Sequence, residues 1–405
     1  MHATTAEAED KSRFERKRER VIDAAATLIN RRGVKGLTFV DVAQAVGLNT
    51  ASVTYYFKRK ELLAAAALGE ALDRLDLLVL QAAAKPGAQE RVAEYLRLWF
   101  DLQRDIRLGR ARPIAILADI RAMDEPLRSD LMSRYQELFR HVRGFFGRID
   151  DEADKARATA RAHVLNEVLF WLPLWLPRYA LDDYDRVRDR LMDLLVNGIA
   201  PAGAAWSPQP LDLAEEADAD GKAAFLRAAT RLLNERGYRG TSVKAISAAL
   251  NVTKGSFYHH LDAKDDLVMA CLEHSHERAS IIQIAARNMK GTQWQKLCSA
   301  IAGLLRQQLL DEGTLLRTTA MQALPSDVRD QAMERTERVA LRFAGMLSDG
   351  AAEGSTRPVD ALIVSEALIA MVDSAYEMRK WASRMDQDRA IAVYASTLAF
   401  GMLDD

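Results

Sequence analysis

Residues 251–267 read "NVTKGSFYHHLDAKDDL", and residues 47–63 read "GLNTASVTYYFKRKELL". The two stretches align without a gap at an offset of 204 residues, and the alignment continues upstream. Residues 21–63 and 225–267 share 11 identities in 43 positions, among them the glycine pair Gly33 and Gly237. Shared composition alone does not return glycines, a serine and a lysine in the same order. The sequence therefore indicates an internal duplication.

Each copy is followed by a longer segment with apolar residues at three-and-four spacing, which is typical of amphipathic helices. A fainter echo continues there: "DEPLRSDLMSRYQELFRHVRGFF" resembles "SDVRDQAMERTERVALRFAGML", and "LMDLLVNGI" occupies the place of "ASTLAFGML". A segment rich in Pro, Ala and acidic residues separates the halves. We therefore predict an all-α chain of two units. The predicted domains are an N-terminal arm with the first head (1–65), a first body (66–200), a linker (201–220), a second head (221–268) and a second body (269–405).

Composition agrees with a folded chain of more than one domain, since 405 residues exceed one ordinary core and 49% of them are hydrophobic. The chain lacks a run of about 18 apolar residues and a secretion signal at its start, so we expect a cytoplasmic protein without a membrane span. Cys271 and Cys298 are expected to be buried thiols rather than a disulfide, a redox pair or metal ligands.

The net charge is −1, but basic and acidic residues are unevenly distributed along the chain. Residues 11–65 hold twelve Lys and Arg against five acidic residues, and residues 221–270 hold eight against four. Both duplicated segments are thus basic. The run "KSRFERKRER" (11–20) is either an arm that reaches a neighbouring DNA groove or the salt-bridged solvent face of a helix.

Three short helices are predicted in each duplicated segment. In the first copy, Gly33 ends helix one in a left-handed cap, Thr38 caps helix two, and Gly47 ends it. Asn49 then caps a third helix, "TASVTYYF", whose Val53 and Phe57 are spaced i, i+4 and must point inward. Three such helices with a tight turn before the third are typical of a helix-turn-helix, which presents its third helix to the DNA major groove.

The outward face of that third helix carries small, hydroxylic and aromatic residues where a solvated helix normally carries Glu, Lys and Arg. Short polar side chains admit base edges, and lysines at the helix exit neutralise phosphate. The second copy keeps the pattern, with Phe257 and Leu261 inward. The residues that this pattern predicts to contact DNA are Ala51, Ser52, Thr54, Tyr55, Lys58 and Lys60 in the first head, and Lys254, Gly255, Ser256, Tyr258, His259 and Lys264 in the second.

These segments resemble the DNA-binding heads of TetR-family transcriptional regulators, on "AAATLINRRGVKGLTFVDVAQAVGLNTASVTYYFKRKELL" and "AATRLLNERGYRGTSVKAISAALNVTKGSFYHHLDAKDDL". The resemblance implies phosphate contacts from Thr38, Ser242, Tyr55, Tyr258, Lys60 and Lys264, and base contacts from positions 50–55 and 254–259. It also implies helical bodies that bind a small-molecule effector and dimerise. Members of this family ordinarily carry one head per chain, so this chain is either a monomeric pseudo-dimer or a homodimer.

Several aromatic residues and histidines could belong to a binding site or have a purely structural role. The aromatic residues Trp171, Trp175, Tyr376 and Trp381 either line an apolar ligand pocket or belong to the core. His259, His260, His274 and His276 lack the spacing of a metal site, so we expect neither metal nor cofactor. The chain also lacks a phosphate loop, a nucleophile elbow and an acid-base pair, so an enzyme is not expected.

The sequence thus favours a regulator, with repression the expected mode, that binds a double-stranded DNA operator and an unknown small-molecule effector. The alternative is a helical interaction scaffold in which one or both heads no longer bind DNA. The second head replaces Lys58 and Arg59 with Asp262 and Ala263, so its hold on phosphate is expected to be the weaker.

Overall fold

Helices make up every regular element in the part of the chain that the structure describes. A computed structural model describes residues 2–213, 222–241, 264–310, 315–317 and 326–403, together with positions 246 and 248. The helices of the first half are α1 (His2–Arg32), α2 (Phe39–Val46), α3 (Thr50–Tyr56), α4 (Lys60–Ala83), α5 (Ala88–Arg107), α6 (Leu127–Arg143), α7 (Glu152–Trp175) and α8 (Tyr184–Asn197).

The second half repeats this order where it is described. Its helices are α9 (Lys222–Gly240, interrupted at Gly237), α10 (Lys264–Asn288), α11 (Gln293–Leu309), α12 (Ser326–Glu353), α13 (Ala361–Ser374), α14 (Arg379–Ala382) and α15 (Gln387–Ala399). Helix α9 corresponds to α1, α10 to α4, and α12 to α6. The predicted all-α architecture with two units is confirmed, and the echo between segments 124–146 and 326–347 corresponds to α6 and α12.

The first helix begins much earlier than the head itself. Residues 11–20 lie inside α1, so the basic run is helical rather than an extended arm. Arg20 donates a hydrogen bond to the Val46 carbonyl at 3.1 Å, and the Arg18 guanidinium lies over the Phe57 ring. The helix ends at Arg32, but Gly33 has φ 64° and ψ 173°. Gly33 thus has the positive φ that was predicted, but its ψ lies outside the left-handed helical region, so the cap differs from the one at Gly47.

The two bodies share one hydrophobic core. Helices α7 and α8 of the first half pack against α13 and α15 of the second, and the buried apolar residues of all four helices form one continuous cluster. The second head has a smaller cluster of its own, built around Leu226, Leu233, Leu267 and Leu272. Burial of apolar surface between the halves therefore ties the bodies into one unit.

Contacts between the halves are reciprocal. His163 on α7 donates from Nε2 to the Ser374 carbonyl at 3.1 Å, and Trp171, eight residues later, donates from Nε1 to Glu366 at 3.0 Å. Glu366 lies 203 residues after His163, and Ser374 lies 203 residues after Trp171. His163 thus contacts the counterpart of Trp171, and Trp171 contacts the counterpart of His163. This exchange is the arrangement of a two-fold symmetric interface.

Two glycines repeat this relation where the backbones of the halves meet. A side chain at Gly198 would lie 2.4 Å from the Ala399 carbonyl oxygen, and one at Gly401 would lie 2.2 Å from the Val196 carbonyl oxygen. Gly401 lies 203 residues after Gly198, and Ala399 lies 203 residues after Val196. Ile199 donates a backbone hydrogen bond to Ala399 at 3.0 Å across this contact. The close approach requires glycine at both positions.

The linker is docked where it is described. Residues 201–213 are irregular, and the Trp294 indole donates to the Ala205 carbonyl at 3.0 Å. The Gln209 amide donates to Ser299 Oγ at 2.8 Å, which fixes the linker against α11. Residues 214–220 of the predicted linker lie outside the described residues.

Both cysteines are free and buried, as predicted. Burial raises the pKa of Cys271 and of Cys298 to about 12. Across the described ranges, no helix combines the length and the apolar character that a membrane crossing demands.

Candidate nucleic-acid interface and internal cavity

The turn between α2 and α3 is fixed by two side-chain caps. Thr38 Oγ1 accepts a hydrogen bond from the Asp41 amide at 3.1 Å and so begins α2. Gly47 ends this helix with φ 67° and ψ 35°, the predicted left-handed conformation. Asn49 Oδ1 then accepts from the Ser52 amide at 2.7 Å, which begins α3. The sequence determines this turn locally, because each cap lies within a few residues of the group it binds.

Two apolar residues set the orientation of α3. Val53 is fully buried and Phe57 is 6% exposed, as their spacing predicts. Tyr55 is 67% exposed on the opposite side. The remaining residues predicted to contact DNA from this helix also lie at the surface: Thr50 and Ala51 are exposed, and Ser52 and Thr54 are half-buried. The outward face of α3 therefore presents no charged side chain.

The hydroxyl groups on α3 are held in place by local hydrogen bonds. Ser52 Oγ donates to Asn49 Oδ1 at 2.8 Å, and Thr54 Oγ1 donates to the Ala51 carbonyl at 2.9 Å. Each hydroxyl oxygen keeps lone pairs for an external donor, such as an adenine or cytosine amino group. The Tyr55 ring is held edge-on against Phe14 of α1, with ring centroids 5.9 Å apart.

Basic groups flank the exposed face. Lys58 is exposed at the exit of α3, whereas Lys60 is half-buried and its Nζ lies 3.5 Å from the Lys35 carbonyl oxygen. Lys17 of α1 lies beside α3 and lines a shallow groove with Ser52 and Tyr55. The arrangement places an uncharged surface between positive groups, which suits a groove bounded by phosphates.

The corresponding surface of the second head falls outside the described residues. This holds for Ser242, Lys254, Gly255, Ser256, Tyr258 and His259, and the side chain of Lys264 at the start of α10 is likewise outside. In the described part of the second head, Leu226 and Leu233 of α9 pack with Leu267 and Leu272 of α10.

An internal cavity of about 280 Å³ lies between the two halves. Its wall is mostly apolar and includes four aromatic residues. Residues 113–118 and the 3₁₀ segment Leu117–Ala122 close one side, α7 supplies another, and Ala370, Asp373 and Glu377 enter from the second half. The 3₁₀ segment contributes Arg121, and α7 contributes Glu167, Phe170, Trp171 and Pro173. The lining residues from other elements are Asn30, Leu75, Trp99, Gln103, Ile106, Met132, Tyr135 and Arg317.

Charged groups meet at one end of this cavity. Glu377 accepts hydrogen bonds from Arg121 of the first half and Arg317 of the second. Burial opposes ionisation of Glu377, but these two guanidinium groups outweigh it and lower its pKa. Glu167 behaves in the opposite way: burial, reinforced by the negative charge of Glu377, raises its pKa to about 8. Glu167 therefore carries a proton at neutral pH while the other carboxylate is ionised.

The cavity wall is joined to the first helix of each head by matching hydrogen bonds. Asn30 of α1 donates to the Ile114 carbonyl at 2.7 Å and accepts from the Ile116 amide at 2.9 Å. Asn234 of α9 donates to the Leu315 carbonyl at 2.8 Å and accepts from the Arg317 amide at 3.0 Å. The aligned asparagines thus make the same pair of bonds in both halves.

The family follows from a comparison with known domains. Residues 21–67 and 225–271 each match the family described as bacterial regulatory proteins, tetR family, and residues 290–381 match a tetracyclin repressor-like C-terminal domain. The chain belongs to the TetR family. Two TetR heads in one chain confirm the tandem arrangement, and the second body is the ligand-binding type of domain found in these regulators.

Solved structures with similar folds cover less than half of this chain. They include AibR in complex with isovaleryl coenzyme A and operator DNA, with 21% identity and a TM-score of 0.40 over 44% of this chain and 98% of AibR. PfmR from Thermus thermophilus has 20% identity and a TM-score of 0.36 over 43% and 96%. FadR from Bacillus subtilis with stearoyl-CoA has 17% identity and a TM-score of 0.36 over 43% and 94%. No curated protein matches the chain.

The aromatic residues singled out from the sequence lie in different places in the TetR bodies. Trp171 lines the cavity and bonds to Glu366. Trp175 and Tyr376 are buried in the core, Trp381 is half-buried, and these three are not among the residues that line the cavity.

The charged lining residues were not anticipated from the sequence. A signal was present, since Asn166 and Glu167 interrupt the otherwise apolar run "VLNEVLFWL", where an acid needs a reason to be placed. In the described parts of both TetR units, no three His, Cys, Asp or Glu side chains gather as a metal site would require. His259 and His260 lie outside those parts.

Proposed function

We propose that this TetR-family chain is a DNA-binding transcriptional repressor whose two heads read an operator as an intramolecular pseudo-dimer, and that an effector in the internal cavity weakens this binding. The observation that carries the DNA-binding role is the uncharged outward face of α3 in the first head. Thr50, Ala51 and Tyr55 are exposed there, and Val53 and Phe57 hold the face outward.

Phosphate contacts are assigned to the flanking groups. Thr38 is exposed at the start of α2, at the positive end of the helix dipole. Lys58 and Lys60 stand at the other end of α3. This division supports a docked geometry in which the ends of the helix-turn-helix bind the phosphate backbone and positions 50–55 reach base edges.

The reciprocal contacts between the bodies support the pseudo-dimer. A TetR dimer interface ordinarily needs two chains, whereas here α7 and α8 meet α13 and α15 of the same chain. The two third helices differ at the proposed base-facing positions except at Ser52 and Ser256. One chain should therefore prefer an operator with unlike half-sites, about 34 Å apart for sites one helical turn apart.

The asparagine bonds support a route from the cavity to the heads. Asn30 holds the wall residues Ile114 and Ile116 to α1, so an occupant that displaces this wall also displaces the first head. Asn234 holds Arg317 to α9 in the same way. An effector releases DNA if it binds the displaced arrangement more tightly than the DNA-bound one, since only differential affinity shifts such an equilibrium.

The DNA-binding role is tested by operator selection from a randomised duplex library, followed by footprinting and binding measured over a range of salt concentrations. We expect an asymmetric footprint from one chain. Lys58→Ala should reduce the slope of log affinity against log salt by about 1, because one phosphate contact is lost. Lys85→Ala, at an exposed lysine just beyond the far end of α4, is the matched control and should leave the slope unchanged.

The outcomes separate this function from the scaffold alternative. A scaffold with vestigial heads would show no steep loss of duplex binding as salt rises, and Lys58→Ala would behave like the control. A perfect palindrome bound by two chains would remove the pseudo-dimer while leaving DNA binding intact.

A further inference from the structure

One short segment of the first half lies against both heads. The 3₁₀ segment Leu117–Ala122, called the strut below, packs against α9, the first helix of the second head. It also packs against the turn Val34–Gly36, which follows α1 in the first head. Asp119 Oδ2 of the strut accepts a hydrogen bond from the Val34 amide at 2.7 Å. Both heads are therefore placed against the same short piece of chain.

Two ionic hydrogen bonds connect the strut to the second body. Arg121 of the strut donates to Glu377, and Arg317 donates to the same oxygen of that carboxylate. Glu377 lies in the turn Ala375–Met378 directly after α13, the helix that packs against α7 in the shared core. Hydrogen bonds between ionised groups are roughly twice as strong as neutral ones. Glu377 thus anchors the strut to the contact between the bodies.

Arg317 extends this connection to the second head. Its side chain is 2% exposed, and a buried guanidinium group left without its carboxylate is strongly unfavourable. Its backbone amide donates to Asn234 of α9 at 3.0 Å. A series of hydrogen bonds therefore runs from Val34 in the first head through the strut, Glu377 and Arg317 to the second head.

The pair Arg317 and Glu377 occurs once per chain. Ile116 occupies the place of Arg317 in the matching bond to the first head, and Leu174 lies 203 residues before Glu377. Both matching positions are apolar, so the pair lacks a symmetric copy. An assembly of two identical chains would carry such a connection twice or not at all. The single connection is therefore a feature of the fused chain.

We propose that the strut, held by Arg121, Glu377 and Arg317, fixes the separation of the two heads and thereby decides which half-site spacing the chain accepts. Arg121 and Glu377 are positioning residues, since they act through the heads and lie outside the surface assigned to DNA contact. The choice of spacing rests on the proposed function, whereas the fixed separation is a property of the chain without DNA.

The separation of the heads is measured first, in the absence of DNA. Arg31 and Glu235 occupy equivalent exposed positions on α1 and α9, and cysteines introduced there carry spin labels. The native Cys271 and Cys298 stay unlabelled because both are buried. We expect double electron–electron resonance to give a narrow distance distribution in the parent chain. In Arg121→Ala the distribution should be at least about twofold broader, because the strut is no longer anchored.

Two comparisons make this variant specific. Arg121 is partly exposed, and its removal leaves Arg317 paired with Glu377, so Arg121→Ala should fold. Arg121→Lys keeps a positive charge beside Glu377 and should restore most of the narrow distribution. Arg128→Ala is the matched control, since it removes an exposed arginine that binds Glu125 within one turn, and it should leave the distribution unchanged.

A second cut in the same connection is available at its other end. Asp119→Ala removes the acceptor of the Val34 amide and separates the strut from the first head. It should broaden the distribution as Arg121→Ala does. It also replaces that variant if circular dichroism shows that Arg121→Ala does not fold.

Half-site spacing is measured next, on the selected operator with two base pairs inserted between its half-sites. This insertion moves one half-site by about 7 Å along the DNA and turns it by about 70°. The parent chain should lose at least about tenfold in affinity on the longer operator, and Arg121→Ala at most about twofold. Both should bind a single half-site equally, because the outward face of α3 is unaltered.

The two readouts distinguish this inference from the proposed function. If Arg121→Ala keeps the narrow distribution, or if Arg128→Ala broadens it equally, the strut does not fix the heads and the inference is overturned. If the distribution broadens but the parent chain binds no operator, the DNA-binding role fails and the fixed separation stands. If it broadens but both chains lose affinity equally on the longer operator, the control of spacing is overturned.

Discussion

The contact between the halves can be tested at the two glycines that meet the opposite backbone. Gly198→Ala would place Cβ 2.4 Å from the Ala399 carbonyl oxygen, and Gly401→Ala would place it 2.2 Å from the Val196 carbonyl oxygen. Both distances are about 1 Å shorter than a normal contact, and the atoms that must move are backbone atoms. The halves would have to separate locally to accept either side chain.

Two costs add at each position. Gly198 has φ 62° and Gly401 has φ 101°, conformations that cost a residue with a Cβ about 1–2 kcal/mol. Forcing a methyl group into a packed contact costs about 1–3 kcal/mol more. We therefore expect each variant to lose about 2–5 kcal/mol of unfolding free energy, measured as a lower urea midpoint by circular dichroism.

Two other glycines separate these costs. Gly203 has φ 73° with nothing within 4 Å of an added Cβ, so Gly203→Ala should lose only about 1 kcal/mol from backbone strain. Gly345 lies within α12 in open space, so Gly345→Ala should gain about 0.5–1 kcal/mol from helix propensity. If Gly198→Ala and Gly401→Ala cost no more than Gly203→Ala, the halves do not meet as described.

Three further predictions concern buried groups. Asn234→Ala leaves two buried backbone groups unpaired and should cost about 2–4 kcal/mol in urea denaturation, more than Asn30→Ala, because Asn30 is only half-buried. Glu167→Gln should raise the melting temperature more at pH 9 than at pH 6: the folded-state pKa of this carboxyl is raised, so its proton-linked stability is present at low pH and is lost as pH rises through about 8. Cys271 and Cys298 should resist a thiol reagent at pH 8 in the native chain and react in denaturant, since burial raises the pKa of both.

The head could be predicted from sequence because its determinants are local. Thr38 and Asn49 cap helices that begin beside them, and Val53 and Phe57 lie one turn apart. The same local signals predicted the positive φ of Gly33 but not its ψ of 173°, because a glycine that permits a positive φ leaves ψ undetermined. Local patterns therefore determine where α3 faces but not every turn around it.

The cavity could not be predicted in this way, because its charged groups come from distant segments. Arg121 and Glu167 belong to the first half, and Arg317 and Glu377 to the second. Aromatic content singled out Trp171, which lines the cavity, and by the same criterion Trp175, which packs in the core. Composition identifies apolar side chains, whereas the packing of the two halves decides which of them border empty space.

Fusion of the two TetR units bears directly on this cavity. At the offset of 203 residues that relates the bodies, Glu167 corresponds to Ala370, and Glu377 corresponds to Leu174. A homodimer would place two copies of each charged group around its axis, whereas one chain places each once and lets the symmetric position become apolar. The cavity has therefore lost the symmetry that the interface contacts keep. We expect calorimetry to give one ligand per chain, and a stoichiometry of two equal sites per chain would contradict the placement of the effector in this single asymmetric cavity.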